Sequence, residues 1–170
     1  MIRPNAINCV NRDKEKTLPL SGPALKELLQ SVIQKGLPFR FKAGGSSMSP
    51  FIKDGDILTV SPLGKIPPGI GDVVIFIHPV DQNVVVHRVV AKSGNAYRVK
   101  GDNSPGMDTP LPRDNVLGRL ERVERNGKRV LLGLGPERLL IARLTRGVFL
   151  HRILIPLWLS VRHRLIKPSI

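Results

Sequence analysis

Short runs of apolar and β-branched residues, each bounded by turn residues, dominate the middle of the chain. Such runs are typical of β-strands. They predict seven strands, over 39–42, 57–60, 73–77, 84–91, 96–100, 116–123 and 128–132. Because no helical pattern alternates with them, the sequence predicts a mainly β fold, either an antiparallel or mixed barrel or a curled sheet.

Two helical patterns flank this region. Apolar residues recur at helical spacing between Ser21, a candidate N-cap, and Gly36, which predicts a short amphipathic helix. The chain before this helix is expected to be a flexible leader, and the chain after Gly135, rich in Leu, Ile and Arg, predicts one or two helices as a C-terminal appendage. The expected parts are a leader and helix over 1–36, a β-rich domain over 37–135 and a basic amphipathic helical tail over 136–170.

The charge balance is strongly basic. The formal net charge is +14, with 27 Lys and Arg against 13 Asp and Glu, and the excess is marked in the tail. Such an imbalance indicates an anionic partner, either nucleic acid or a lipid surface. Aromatic residues make up only 4% of the chain. Because stacking aromatics do not accompany the basic residues, no specific nucleic acid partner is expected.

Cysteine content and targeting signals narrow the possibilities further. The single cysteine, Cys9, excludes an internal disulfide and a cysteine-based metal site, and we expect no metal or cofactor. Charged residues over 11–16 interrupt any N-terminal apolar run, so no signal peptide is predicted. No run reaches the ~18 consecutive apolar residues of a standard membrane span. By this absence of an export signal, the domain is expected on the cytoplasmic side.

A tight turn over 44–50, with the sequence Gly-Gly-Ser-Ser-Met-Ser-Pro, offers a candidate nucleophile. The glycines allow a sharp turn and a close approach of another main chain, and Pro50 prevents a continuing helix. A hydroxyl held on such a turn beside a strand edge, at Ser47, suits nucleophilic attack. A simple Gly/Ser loop remains the alternative.

Two further features provide the partners that a serine nucleophile needs. His87 lies inside the valine-rich strand 84–91, on the face of Val85 and Val89, while Arg88 points to the opposite face. An imidazole can act as a general base, although a structural histidine is the alternative. The polar turn that follows residue 100 contains Asp102 and Asp108, either of which could orient the imidazole or stabilise the loop as a turn residue.

The order of these motifs resembles the type I signal peptidases. The resemblance rests on Ser47-Met48 with Pro50, the segments Asp-Gly-Asp at 54–56 and Gly-Asp-Val-Val at 71–74, His-Arg-Val at 87–89, and Lys-Gly-Asp-Asn at 100–103 with Asp108. It covers about half the chain. The chain is most similar to the Ser-His branch of archaea and the endoplasmic reticulum, because the common bacterial branch has a lysine in place of His87.

The resemblance implies the fold shared by signal peptidases and self-cleaving repressors, and a serine endopeptidase that cleaves a precursor or signal peptide. Ser47 would be the nucleophile, His87 the general base and Asp108 the third member, with Asp102 as a supporting or alternative carboxylate. The Ser47 N–H would donate to the oxyanion, and Ser46 is a candidate second donor. The substrate, a peptide or protein precursor, would bind as an extended strand.

The tail suggests peripheral attachment to a membrane. Residues 147–161 are strongly apolar, but Arg152 and Pro156 disfavour a clean span. We therefore expect residues 136–170 to contact an anionic membrane surface. Two alternatives to the peptidase stay open, a non-catalytic membrane-surface protein on the same fold and a self-cleaving-repressor-like regulator. The repressors use a Ser-Lys dyad, and this chain has His87 where they need lysine.

Overall fold

The computed structural model describes residues 7–10, 17–20, 22–106 and 110–146. The strand pairs in it are antiparallel and form one sheet in the order β2-β1-β3-β4-β9-β5-β6-β7-β8, with β10 paired to β9. The strands are β1 Ile7–Val10, β2 Thr17–Leu20, β3 Phe39–Lys42, β4 Ile57–Pro62, β5 Val73–Ile77, β6 Val84–Ser93, β7 Ala96–Lys100, β8 Leu111–Pro112, β9 Val116–Arg125 and β10 Lys128–Val130. The helices are α1 Gly22–Gln34, α2 Arg138–Arg146 and a 3₁₀ turn, Arg113–Asn115.

The predicted fold class is confirmed, because the sheet is a curled antiparallel half-barrel flanked by the two helices. All seven predicted strands are present, and β3, β5 and β7 have the predicted bounds. Register shifts between Thr59 and Val60, between Ile75 and Phe76, and between Val89 and Ala91 mark irregularities in three strand pairs. Bulges of this kind add local twist, which helps a wide sheet to curl.

The N-terminal region differs from the flexible leader that the sequence predicts. β1 and β2 form a hairpin, and β1 also pairs with β3, so the sheet continues across the expected boundary at residue 36. The prediction is therefore wrong for these two segments. Both are only four residues long, and strand formation depends more on pairing with neighbouring strands than on a short segment's own pattern. The predicted helix α1 is present and buries Leu25 and Leu29.

The apolar interior is divided into two clusters. The larger cluster includes residues of α1 and contains Leu25, Leu29, Phe39, Phe41, Met48, Ile52, Leu58, Val60, Val73, Ile75, Leu120 and Val123. The smaller contains Val74, Phe76, Val89, Tyr97, Val99, Leu111 and Val116. Because neighbouring residues of β5 belong to different clusters, this strand has apolar surroundings on both faces. This explains why β5 reads as a continuous apolar run.

The described part of the C-terminal appendage is α2, which packs against β6. It buries Ile141, Ala142 and Thr145. The rest of the predicted tail, residues 147–170, lies outside the described residues. Within the described ranges, no helix is long and apolar enough to cross a membrane.

Candidate active site

The Ser47 loop, residues 43–56, joins β3 to β4, and backbone hydrogen bonds close it at its base. The Ala43 N–H donates to the Asp56 carbonyl oxygen at 2.7 Å. Met48 is buried in the larger cluster, whereas its neighbour Ser47 is exposed. The loop therefore presents Ser47 to solvent while a buried side chain anchors the next residue.

Two carboxylates brace this loop. Asp56 is buried and accepts hydrogen bonds from Arg125 Nε at 2.8 Å and Nη2 at 2.7 Å. The hydrogen bond to Asp56 raises the pKa of the Arg125 guanidinium above its usual value. Asp54 Oδ1 accepts the Gly45 N–H at 2.9 Å. These bonds hold the backbone on both sides of Ser47, which favours a defined position for its side chain.

His87 lies on β6, opposite Val74 of β5. Its side chain is buried, and its ring lies 6.1 Å from the Phe76 ring in an edge-on arrangement. Val74, Phe76 and Val89 all belong to the smaller apolar cluster. His87 therefore shares the face of Val89, as the alternation of the strand predicts.

Ser47 and His87 come together beside Gly101, the first residue after β7. A Cβ added to Gly101 would lie 2.7 Å from the Ser47 carbonyl oxygen and 3.0 Å from His87 Nε2. Both atoms are thus within 3.0 Å of one point, and Ser104 Oγ lies close to the same point. The three chain segments can approach this closely because Gly101 has no side chain.

An open cavity of about 460 Å³ adjoins this meeting point. Its polar lining includes Ser46, Ser47, His87 and Ser104, together with His78 and Asp81 from the hairpin between β5 and β6. Its apolar lining comes from Phe41, Ala43, Met48, Ile52, Leu58, Val84, Val85 and Val86. The two sequence-predicted residues Ser47 and His87 therefore share one cavity with mainly apolar walls.

His78 and Asp81 lie in contact at one side of the cavity. His78 Nδ1 lies 2.9 Å from Asp81 Oδ1. Burial acts to raise the pKa of the Asp81 carboxyl, but hydrogen bonds from Asn83 and the neighbouring His78 outweigh it and lower that pKa. A carboxylate is therefore present at this side of the cavity near neutral pH.

Asp102 is buried, and three donors reach its carboxylate. Arg88 Nε donates to Oδ1 at 2.8 Å and Arg88 Nη2 donates to Oδ2 at 2.7 Å. Thr145 Oγ1 of α2 donates to Oδ1 at 3.1 Å. Asp102 thus serves the Arg88 guanidinium, while Asp108, the other sequence-predicted carboxylate, lies outside the described residues.

Arg88 itself is the centre of a buried network. It is fully buried, and its Nη1 donates to the Gly71 and Gly133 carbonyl oxygens, each at 2.9 Å. Its guanidinium also lies 5.7 Å from the centre of the Phe51 ring. A buried charge needs a paired and hydrogen-bonded environment, and Asp102 with the two carbonyl oxygens supplies it.

Sequence reasoning missed three features of this region. The strand alternation places Arg88 opposite His87, but nothing in the sequence indicates that Asp102 is its partner. Ser104 belongs to the predicted polar turn, and its hydroxyl type is the available signal. Thr145 lies in a helix with no motif around it, so only the folded chain reveals its contact with Asp102.

The chain thus combines a curled antiparallel β-sheet with a cavity that Ser47 and His87 both line. A family model described as Peptidase S24-like matches residues 14–121, more than half of the 170 residues. The chain belongs to this family, which includes peptidases and self-cleaving repressors. No curated protein and no solved structure matches the chain. Among the described residues, no cluster of three or more His, Cys, Asp or Glu side chains could hold a metal.

Proposed function

We propose that the protein is a serine endopeptidase of the signal-peptidase type that cleaves a peptide or protein precursor. Ser47 is the nucleophile, His87 the general base and Asp108 the third member of a Ser-His-Asp triad, as in the Ser-His branch that the sequence resembles. The observation that carries the proposal is the approach of the Ser47 backbone and His87 Nε2 beside Gly101. Membership of a family that includes peptidases supports it.

The reaction is acyl transfer. His87 takes the Ser47 hydroxyl proton as the oxygen attacks the scissile carbonyl carbon, and the resulting imidazolium returns a proton to the leaving amine. Water then attacks the acyl-enzyme with His87 again as base, which releases the acid product and restores the serine. The Ser47 N–H donates to the oxyanion, and Ser46 is the candidate for a second donor. Each such donor is typically worth ~10²–10³ in rate.

The proposed substrate is an extended segment that binds as an added strand. The cavity walls support this, because side chains of β6 and of the Ser47 loop line one continuous opening with the candidate nucleophile. Its apolar walls favour apolar residues of modest size near the cut. We infer that a precursor with small residues at the cleavage site is accepted.

The test compares variants of the two reacting residues with a matched control. Purified wild type is incubated with candidate precursors beside Ser47→Ala, His87→Ala and Ser93→Ala. Ser93 lies exposed at the end of β6 and outside the cavity. We expect Ser47→Ala and His87→Ala each to lose on the order of 10⁴–10⁶ in rate, because triad members act as a unit. Cleavage of a defined precursor by Ser47→Ala at the wild-type rate would show that the assignment is wrong.

Self-cleavage is a second candidate function, favoured by the family match, since the family includes self-cleaving repressors. It predicts that the isolated wild-type chain shortens on incubation while Ser47→Ala stays intact. Mass spectrometry of both proteins after incubation separates this outcome from cleavage of an added precursor. If neither chain shortens and no precursor is cut, a non-catalytic membrane-surface protein becomes the better account.

We also propose that residues 136–170 attach the protein to an anionic membrane surface. On α2, Leu139 and Leu140 are 58% and 60% exposed, and both border a shallow cavity with Ile70. Arg143 and Arg146 line the same cavity. Apolar side chains beside arginines suit the headgroup region of an anionic bilayer, where each base can add ~1 kcal/mol.

Vesicle flotation tests this attachment on the full chain. Removing α2 would also remove the buried Ile141 and Ala142, so point variants on its exposed face are preferable. The double variant Leu139→Ser/Leu140→Ser should lose binding to vesicles that contain phosphatidylserine. Val80→Ser, at a 78% exposed position of the β5–β6 hairpin, should bind as wild type does. Equal binding by all three proteins would contradict the proposal.

A further inference from the structure

Helix α2 is joined to the candidate site by a chain of buried polar contacts. Its inward face consists of Ile141, Ala142 and Thr145, and it packs against β6, the strand that carries His87. Thr145 is the polar member of this inward face and is only 1% exposed. A buried hydroxyl needs a partner, and its partner is the Asp102 carboxylate at 3.1 Å.

Asp102 lies within the segment 101–104, which contacts both candidate catalytic residues. The Asn103 N–H donates to the Ser47 carbonyl oxygen at 2.7 Å, and Asn103 Nδ2 donates to the Ser46 carbonyl oxygen at 3.3 Å. On the other side of Asp102, the Gly101 backbone adjoins His87 Nε2. A shift of Asp102 would therefore move both neighbours that touch the site.

Arg88 of β6 also contacts Asp102, in addition to Thr145 of α2. It follows His87 in β6, and its guanidinium forms a fork with both oxygens of Asp102. The Thr145 hydroxyl adds a donor from a different element, so the carboxylate is held by β6 and α2 together. Two anchors on separate elements restrict the carboxylate more than the fork alone does.

We propose that Thr145 is a positioning residue through which α2 fixes segment 101–104 against Ser47. The position of the helix that begins the tail is thereby coupled to the order of the candidate site. The catalytic part of this inference rests on the proposed peptidase function, whereas the coupling itself does not. The hydrogen bond has a charged acceptor and joins two elements inside the protein, so its removal should have a measurable effect.

The experiment removes the hydroxyl without changing the shape of the side chain. Thr145→Val is compared with Thr145→Ser, which keeps the hydroxyl, and with Thr59→Val, the same substitution at a half-buried position on β4. Amide hydrogen exchange is measured for the whole chain, with Asn103 and Ser104 as reporters, because both N–H groups are hydrogen-bonded within this region. The kcat and KM for a cleaved precursor are measured on the same proteins.

We expect Thr145→Val to speed exchange at Asn103 by about tenfold, the loss of one charged hydrogen bond, while strands β4 and β9 exchange as in wild type. We expect kcat to fall by a similar factor with KM unchanged, and Thr145→Ser to restore both quantities. Thr59→Val should change neither.

Three outcomes would overturn the inference. Exchange at Asn103 could remain at the wild-type rate in Thr145→Val, exchange could rise equally over the whole sheet, or Thr145→Ser could fail to restore Asn103. If wild type cleaves no precursor, the proposed function fails instead. The exchange of Asn103 then still decides whether α2 is coupled to the segment, so the two failures are distinguishable.

Discussion

His87 and Arg88 are consecutive residues of β6, and they have opposite surroundings. His87 lines an open cavity with Ser47 and is 8% exposed. Arg88 is fully buried, and Asp102 and two carbonyl oxygens surround its guanidinium. Two neighbouring residues of one strand therefore differ. The His87 side chain borders a cavity that a ligand can enter, and the Arg88 side chain is enclosed in a hydrogen-bond network.

The difference follows from what each face of β6 meets. On the His87 side, the Ser47 loop and the β5–β6 hairpin leave a space between them. Around Arg88, the Gly133 backbone and Asp102, whose carboxylate also accepts from Thr145 of α2, enclose the guanidinium. An accessible side chain such as His87 can take part in a reaction, whereas a buried, fully paired side chain such as Arg88 contributes to the stability of the fold. Substitutions of residues that line the cavity should therefore act mainly on activity, and substitutions in the Arg88 network mainly on stability, with segment 101–104 as the link between the two.

Among the residues that support Ser47 and His87, the largest expected effect is a loss of activity at Asp108. Asp108→Asn should lower kcat/KM by up to ~10⁴, the cost of losing the carboxylate that orients a catalytic histidine. Asp102→Asn should act mainly on stability and cost less activity per folded molecule, because Asp102 holds Arg88. Rates corrected for the folded fraction by circular dichroism check both statements. A larger corrected loss for Asp102→Asn would transfer the third role to Asp102.

The next largest effect is expected on the free energy of unfolding, at Arg88. Arg88→Leu should lower the free energy of unfolding by about 3–5 kcal/mol, because it leaves a buried carboxylate without its charged partner. Urea denaturation of Arg88→Leu, Asp102→Leu and the double variant measures the coupling between the two residues. The double variant should be more stable than the sum of the single losses predicts. Strictly additive losses would contradict a paired network.

Gly101→Ala tests the close approach of Ser47 and His87 beside Gly101. Its new methyl would lie 2.7 Å from the Ser47 carbonyl oxygen, so the backbone must shift, and a displacement of this size can cost on the order of 10² in rate. Gly64→Ala is the matched control, because nothing lies within 4 Å of its added Cβ. Steady-state kinetics of both variants should separate them. Wild-type kcat in Gly101→Ala would mean that the site is not this tightly packed.

The smallest expected effect is on the pH dependence of stability. Hydrogen bonds from the Gly133 N–H and further backbone N–H groups lower the pKa of Glu137 below its usual 4.5. A group whose pKa is lowered on folding adds stability above the unfolded value and loses it as pH falls through the folded value. Glu137→Gln should therefore slightly reduce stability at pH 7, and the reduction should vanish as acid protonates the folded carboxyl. Denaturation midpoints at several pH values check this, and an equal loss at every pH would contradict it.

The sequence alone was sufficient for much of the fold. Valine and isoleucine runs between turn residues predict the central strands, because burial on both faces requires apolar side chains at every position. Helix α1 was equally readable from its period. The hairpin of β1 and β2 was not, since β1 depends on its pairing with β2 and with β3, which the sequence pattern does not show.

The candidate site, too, could be predicted only in part from the sequence. The serine turn, the histidine and the two aspartates could be named from their types and order, because those choices reflect the chemistry of single residues. The hydrogen-bond partners of Asp102, by contrast, come from distant segments of the chain, namely Arg88 of β6 and Thr145 of α2. Only the tertiary structure brings these three together, since a hydrogen bond between segments depends on how the chain returns upon itself. The strand period determined the faces of His87 and Arg88, and contacts between distant parts of the folded chain decided that Arg88 is enclosed while His87 borders a cavity.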